Sequence, residues 1–448
     1  MKRRFSAFFL CLALLLPASI QAQSVHINDT TAFRQRMEWF GKAKLGIFIH
    51  WGIYAVKGVS ESWSFYNERI PYDEYMSQCS GFTASNYDPK AWIDLIKESG
   101  AQYTVITSKH HDGMALWDTK SGRLSMKKRT PAKRDLIAPF VEEARRQGLK
   151  LGLYYSLIDW SHKDYPVFTK SVRRYDNDPQ RWQRFVDFNM AQLGELSTTF
   201  APDLWWFDGD WEQSAEAWHA AEIVQRLRRD NPACIVNSRI RGYGDYETPE
   251  RGIPITRPKT PYWELCQTIN DSWGYYPTDT NYKSTYQCLR LLVDCMSMGG
   301  NLLLDIGPRE DGSIPDEQAA VLKGIGRWVR KHAEAVYDTQ AGIPHAYFQG
   351  YTTRNLKGDI LYLYIPYRPT GMVEVKGLVS KVKEAWVVGS GISLDFKMWN
   401  QPSWSNIPGN FYITIPEEVL DPDITVVALR FDEPVKLYDG FGQVIEAN

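Results

Sequence analysis

Pro202-Asp203-Leu204-Trp205-Trp206-Phe207-Asp208-Gly209-Asp210-Trp211 is an apolar run that stops at a carboxylate followed at once by glycine. A short apolar run bounded by turn residues reads as a buried strand. Gly209 lets the chain turn away without crowding whatever the Asp208 carboxylate faces. An acid at the C-terminal end of a barrel strand stands where catalysis tends to sit. The flanking tryptophans offer flat apolar surface of the kind that stacks on the less polar face of a sugar ring. A competing reading makes Asp208 the cap of a helix beginning near Ser214, because Asp is a favoured cap and turn residue.

Further strand-like runs lie on both sides of this one, at residues 44–50, 103–108, 151–156, 234–237, 262–269 and 301–306. Helical patterns fall between them at 90–99, 136–147, 180–196, 215–229, 285–298 and 317–337. Alternation of this kind predicts parallel strands joined by crossover helices. With seven or eight repeats, a (β/α)8-like barrel over residues 23–340 is expected rather than an open doubly wound sheet. No GxGxxG follows the first strand, which also counts against a dinucleotide fold. After residue 340 the texture changes to short strands at 359–365, 373–375, 382–388, 411–415 and 425–431, separated by Gly, Pro and Asn. That pattern predicts a C-terminal antiparallel β-sandwich over 341–448.

The chain opens with Lys2-Arg3-Arg4, an apolar run from Phe8 to Leu16 and a cleavage-like site after Ala22. Residues 1–22 therefore read as a secretory signal, and the expected location is the periplasm. The apolar run is too short for a membrane span and nothing comparable follows it. Removing the leader takes away three positive charges and turns a formal net charge of −1 into −4. With neither a basic block nor a phosphate loop, nucleic acid and nucleotides are not expected partners. Cys79, Cys234, Cys266, Cys288 and Cys295 are odd in number and lack CxxC spacing, so buried thiols are expected rather than a disulfide scaffold or a zinc ribbon.

Polar residues collect at the predicted strand ends. The first strand runs into His50-Trp51-Gly52, and Glu61-Ser62-Trp63 follows in the next loop. Later ends carry Lys109-His110-His111-Asp112-Gly113, Tyr154-Tyr155, Asn237-Ser238-Arg239 and Tyr246-Glu247-Thr248-Pro249-Glu250. Convergence at one end of successive strands is hard to explain by core packing. A metal that activates water is one chemistry for such a set. Adjacent His110 and His111 on a strand end would point in opposite directions, however, and neither HxH nor HExxH occurs. Metal-assisted hydrolysis is therefore the lesser of two readings. The other chemistry is glycoside hydrolysis by two carboxylates, one ionised and fixed, the other protonated to release the leaving group. In a retaining enzyme the two stand roughly 5–5.5 Å apart, so the second acid should come from another strand or loop end.

Six segments in order resemble the α-L-fucosidases of glycoside hydrolase family 29. They are Trp39-Phe40 with Lys44-Leu45-Gly46-Ile47-Phe48-Ile49-His50-Trp51-Gly52, then Lys109-His110-His111-Asp112-Gly113, then Leu151-Gly152-Leu153-Tyr154-Tyr155-Ser156. Trp206-Phe207-Asp208-Gly209, Trp263-Glu264-Leu265-Cys266 and Asn301-Leu302-Leu303-Leu304-Asp305-Ile306-Gly307-Pro308 complete the set. The resemblance implies a retaining exo-enzyme acting on fucosylated oligosaccharides or glycoconjugates without metal or organic cofactor, with Asp208 as nucleophile. It implies that His50, His110, His111, Tyr154 and Arg239 hold the fucose hydroxyls and the nucleophile, and that Glu61 and Trp63 contact the sugar across a short loop. Phe48 and Trp273 would receive the apolar side and the methyl group. For the acid/base it offers Glu250, with Glu264 as rival; Glu264 also reads as a buried acid orienting a loop. Asp305 stands where Asn is common in the family, and no catalytic meaning attaches to it. A glycosidase for a related sugar such as a galactoside, or a fucose-binding protein without catalysis, are the alternative readings. Linkage, natural glycan and oligomeric state are not legible.

Overall fold

The computed structural model describes residues 30–401, 403–404 and 407–440. The leader read at residues 1–22 lies outside them. Seven parallel strands form the main sheet: β1 Leu45–Ile49, β2 Tyr103–Lys109, β3 Lys150–Ser156, β4 Leu204–Asp208, β5 Ile235–Val236, β6 Glu264–Thr268 and β7 Asn301–Ile306. Their order is β5-β4-β3-β2-β1-β7-β6. Each of the apolar runs read from the sequence is one of these strands.

The gap between β5 and β6 is closed by residues 245–250 without a regular strand. Tyr246 bridges to Asn237 beyond β5, while Glu247 and Glu250 bridge to Trp263 and Cys266. The Cys266 amide donates to Pro249 O at 3.1 Å, and the Asp245 amide to Val236 O at 2.7 Å. Pro249 has no N–H to give to a ladder, and Arg241 and Gly242 hold positive φ just before the segment. The eighth barrel position is thus occupied by chain that cannot pair as a strand along its length.

Helices cover the outside of the barrel, with starts set by their caps. Asp88 accepts from the Lys90 amide ahead of Pro89–Glu98, and Asp178 accepts from the Arg181 amide ahead of Pro179–Phe200. Each helix carries proline at its first position, where the missing N–H costs nothing. A reciprocal Ser284–Gln287 capping box opens Thr285–Ser297. The helix expected from about residue 215 begins instead at Ala220, because His219 holds φ +56° and breaks the turn before it. A further helix, Thr31–Ala43, packs Phe33, Met37 and Phe40 into the barrel-interior cluster with Tyr103 and Tyr246.

Beyond the barrel lie β8 Thr339–Ala341, β9 Tyr351–Asn355, β10 Ile360–Ile365, β11 Met372–Val375, β12 Val382–Val387, β13 Phe396–Trp399, β14 Asn410–Thr414 and β15 Thr425–Phe431. They form antiparallel sheets ordered β12-β15-β10-β9-β8 and β11-β14-β13. Period-two alternation divides β10 between two cores. Leu361, Leu363 and Ile365 join Val373, Val375, Phe411 and Ile413 inside the sandwich. Tyr362 and Tyr364 face the barrel cluster together with Trp328, whose indole donates to Ile424 O at 2.8 Å. The sandwich is thereby packed onto the flank of the barrel.

Candidate active site

The C-terminal ends of the barrel strands bring together residues far apart in sequence. Asp208 ends β4 at 8% exposure. Tyr154, two strand positions before the end of β3, donates its hydroxyl to Asp208 Oδ2 at 2.9 Å, and Arg239 Nη1 donates to Oδ1 at 2.9 Å. The backbone is held as well, since the Leu157 amide donates to Asp208 O at 2.8 Å. Gly209 follows at φ +80°, and a Cβ there would lie 2.8 Å from Ile158 Cγ1. Asp208 is therefore no helix cap: its donors are a phenol and a guanidinium, the short 3-10 turn Asp210–Glu212 starts from Gly209, and the next α-helix begins at Ala220.

Arg239 is the link to a second carboxylate. Its Nη2 donates to Glu250 Oε2 at 2.7 Å, so the two acids occupy different nitrogens of one planar fork, a geometry that guanidinium enforces. The guanidinium carbon lies 4.5 Å from the Trp206 ring centroid. Glu250 has a side chain 40% exposed. It lines a cleft of about 610 Å³ with Glu61, Trp63, Arg251 and Trp273.

Glu264 is placed quite differently. It opens β6 at the other end of the strand and is fully buried, accepting from Tyr103 Oη at 2.5 Å and from Trp206 Nε1 at 3.0 Å. Burial pushes its carboxyl up to about 7 from an ordinary 4.5. The group is then protonated in the folded chain up to about pH 7, whereas the unfolded chain releases that proton above about pH 4.5. Its stabilising contribution is present below pH 4.5 and is lost as pH rises through 7, on the order of 3 kcal/mol. Burial raises Glu61 to about 7 as well, so both groups contribute over the same window. We expect Glu264→Gln to lessen the decline in melting temperature across that window while turnover persists; an unchanged decline would show that Glu264 is ionised in the fold.

Three histidines form the wall beside Asp208. His110 and His111 lie just past β2, where strand alternation no longer applies, and their rings are 4.3 Å apart instead of pointing in opposite directions. Their Nδ1 atoms are taken by serines, Ser62 Oγ at 2.6 Å for His110 and Ser156 Oγ at 2.5 Å for His111. The Ser156 hydroxyl proton goes to Ile158 O, so His111 Nδ1–H must be the donor to Ser156. Burial holds His111 down to about 3, hence neutral. Its Nε2 then carries a lone pair, lies 3.6 Å from Asp208 Oδ2 and has no hydrogen-bond partner. Among the described residues no group of three or more His, Cys, Asp or Glu side chains is arranged to hold a metal ion.

His50 has the opposite polarity. Its Nδ1 is 2.6 Å from Asp305 Oδ1, because Asp305 pairs with Phe48 across β1 and β7. Burial pushes Asp305 well above the usual carboxylate range and His50 well below the usual histidine range. Both directions favour a neutral pair in which the acid donates to Nδ1, leaving Nε2–H as a donor. The wall thus presents one donor and one acceptor, the complement of hydroxyl groups. We expect Asp305→Ala to raise the inhibition constant of the bound sugar about tenfold by freeing the His50 ring. Asp305→Asn, whose amide can donate to Nδ1, should stay within about twofold. A wild-type-like alanine variant would mean that His50 is held by other contacts.

Aromatic surface completes the site. Phe48 is fully buried, with its ring 4.9 Å from Trp206 and 6.3 Å from Trp273, and the Trp273 ring is 5.0 Å from His50. Trp63 stands 5.4 Å from His111 and lies parallel to Trp211 at 6.2 Å. Glu61, at φ +26° and buried, accepts from the Gly274 amide at 2.7 Å. Every residue read from the sequence as a site residue lies in this cluster except Glu264. Sequence reading missed Ser62, Ser156, Asp305 and Arg251, which orient the histidines or, in the case of Arg251, cover Trp273 at 5.2 Å.

The family model for α-L-fucosidase matches residues 14–334. The chain is 29% identical over 441 residues to an α-L-fucosidase of Branchiostoma floridae, covering 86% of this chain and 94% of that protein. It is 31% identical to the tissue α-L-fucosidase of Bos taurus, covering 67% and 68%. Among solved structures, α-L-fucosidase isoenzyme 1 from Paenibacillus thiaminolyticus superposes with a TM-score of 0.82 at 34% identity, covering 90% of this chain and 100% of that one. A GH29 α-L-fucosidase from Bacteroides thetaiotaomicron, trapped as a covalent intermediate with 2-fluoro-fucosyl fluoride, superposes at 0.76 with 27% identity, covering 90% and 96%. With the family model spanning most of the chain and the barrel and sandwich shared with these structures, the chain belongs to the α-L-fucosidases of glycoside hydrolase family 29.

Proposed function

We propose that this chain releases terminal α-L-fucose from glycans with retention of anomeric configuration, using Asp208 as nucleophile and Glu250 as acid/base. The observation that carries the assignment is the Arg239 fork, which holds two carboxylates from different strand ends at one mouth. Asp208 is the more enclosed of the two and accepts from two donors. Glu250 stands in the open cleft, where a leaving group departs and water arrives. In the first step an Asp208 oxygen bonds to C1 as the C1–O bond breaks, and Glu250 gives its proton to the departing oxygen. In the second, Glu250 takes a proton from water, the resulting hydroxide bonds to C1, and the Asp208 carboxylate is released.

The covalent intermediate trapped in the Bacteroides thetaiotaomicron relative supports the two-step course. His50 as donor, His111 as acceptor and the aromatic group of Phe48, Trp206 and Trp273 suit a sugar with hydroxyls on one face and a methyl on the other. The leader at residues 1–22 supports export to the periplasm. The test is NMR of the sugar released from a panel of fucosylated linkage isomers and the matching galactosides. α-L-Fucose should form first and mutarotate afterwards; initial β-anomer, or faster release of galactose, overturns the reading.

A further inference from the structure

The connection from Glu250 to β6 carries no crossover helix, and the space beside it is a groove. Residues 251–261 run down the barrel flank without regular structure, opposite the helix Thr285–Ser297 and the sandwich strand β9. Two adjoining cavities of about 430 and 510 Å³ lie along this line, sharing Ile253, Arg290, Asp294 and Tyr351 in their walls. The upper one reaches Lys283 and Tyr286 near the start of the helix, and the lower one is bounded by His345 and Tyr367 from the sandwich side.

We infer that this groove is a second saccharide site, which receives the sugar residues on the leaving-group side of the bond cleaved at Glu250. The inference rests on Glu250 as proton donor, because that places the departing oxygen at the head of the segment that forms the groove wall. Ile253 is three residues beyond Glu250, so its Cα lies no more than about 11 Å from that of Glu250. Arg251, between them, already lines the active-site cleft.

The chemistry of the walls is that of a site for hydroxyls and ring faces. Arg290 donates Nη2 to the Tyr351 hydroxyl at 3.0 Å and is also drawn on by Tyr286, which together fix the guanidinium in the groove wall as a charged donor. Asp294 brings an acceptor close to the same tyrosine, and burial raises its carboxyl. Tyr367 is 37% exposed and offers a ring face. A site combining a few fixed polar groups with aromatic surface binds by orientation as much as by area. Ile255, 98% exposed, stands at the rim.

The test compares a fucose-terminated tetrasaccharide with an aryl α-L-fucoside too short to reach the groove. Arg290→Ala and Tyr367→Ala should each lower kcat/KM for the tetrasaccharide about tenfold and leave the aryl fucoside within about twofold. Ile255→Ser should leave both unchanged; a loss confined to Ile255→Ser would point to a protein partner instead and overturn the assignment. In parallel, saturation-transfer NMR with the trisaccharide that remains after fucose is removed should show binding to the wild-type chain and none to Arg290→Ala. If fucose is released but the substrate ratio and the NMR signal do not depend on Arg290 and Tyr367, the groove is not a saccharide site. If the trisaccharide binds through Arg290 but no fucose is released, the saccharide site stands and the hydrolytic reading falls.

Discussion

Asp208→Ala should lower kcat for an aryl α-L-fucoside on the order of 10⁵-fold while leaving the circular dichroism and melting temperature close to wild type. A factor of that size corresponds to about 7 kcal/mol of activation free energy, and loss of a covalent nucleophile in other hydrolases reaches this range. The effect should be large because no neighbour can replace the carboxylate. Tyr154 Oη and Arg239 Nη1 both donate to it, and His111 Nε2, the nearest other basic atom, stands behind it at 3.6 Å. The fold should survive because the strand and its backbone bond from Leu157 do not depend on the side chain. Azide, small enough to enter the vacated space, should restore turnover and yield a fucosyl azide of inverted configuration. Near-normal activity of the alanine variant would sink the assignment and return Asp208 to a structural role.

The barrel was legible because its strands are covered on both faces. β1, β4 and β7 are buried along their whole lengths, and such strands are written as near-continuous apolar runs. Residues 245–250 had no such signature. Their sequence, Asp245-Tyr246-Glu247-Thr248-Pro249-Glu250, reads as a loop, and only the main-chain bonds to β5 and β6 make it the eighth stave. The sandwich strands that escaped reading are those with little apolar content or little burial: Thr339–Ala341, Tyr351–Asn355 and the edge strand Phe396–Trp399, exposed at every position. A strand whose reason for existing is its neighbour leaves almost no mark in its own residues.

The site divides in the same way. Asp208, His50, His110, His111 and Tyr154 were legible because each lies at or near the C-terminal end of a readable strand. Their supporting atoms were not, since Ser62 and Ser156 are ordinary serines until a ring is placed beside them. Asp305 is 255 residues from His50, and their contact exists only through the pairing of β1 with β7. The choice between Glu250 and Glu264 stayed open in the sequence, because only the pairing of residues 245–250 with β6 places Glu264 buried at the start of that strand and Glu250 in the open cleft.

Glu250→Ala should separate substrates by their leaving groups. With a natural glycan, whose departing alkoxide needs a proton, kcat/KM should fall on the order of 10²–10⁴-fold, the usual contribution of a positioned acid. An aryl fucoside with a strongly acidic phenol leaves without help, so formation of the fucosyl–Asp208 intermediate should proceed at nearly the wild-type rate. The same substitution removes the base that activates water, so that intermediate should accumulate, giving a burst of phenol followed by a slow steady state. Azide needs no base and should relieve the slow step, raising kcat for the aryl substrate only. Arg239 would remain paired with Asp208 through Nη1, so the nucleophile stays held in place and the variant isolates the proton-transfer role. Glu264→Ala is the contrasting case: it strips the acceptor from Tyr103 and Trp206 inside the barrel and should cost stability with no dependence on the leaving group. If instead Glu264→Ala shows the burst and the azide response while Glu250→Ala slows both substrates alike, the proton passes through the buried glutamate and the Arg239 fork has only a positioning role.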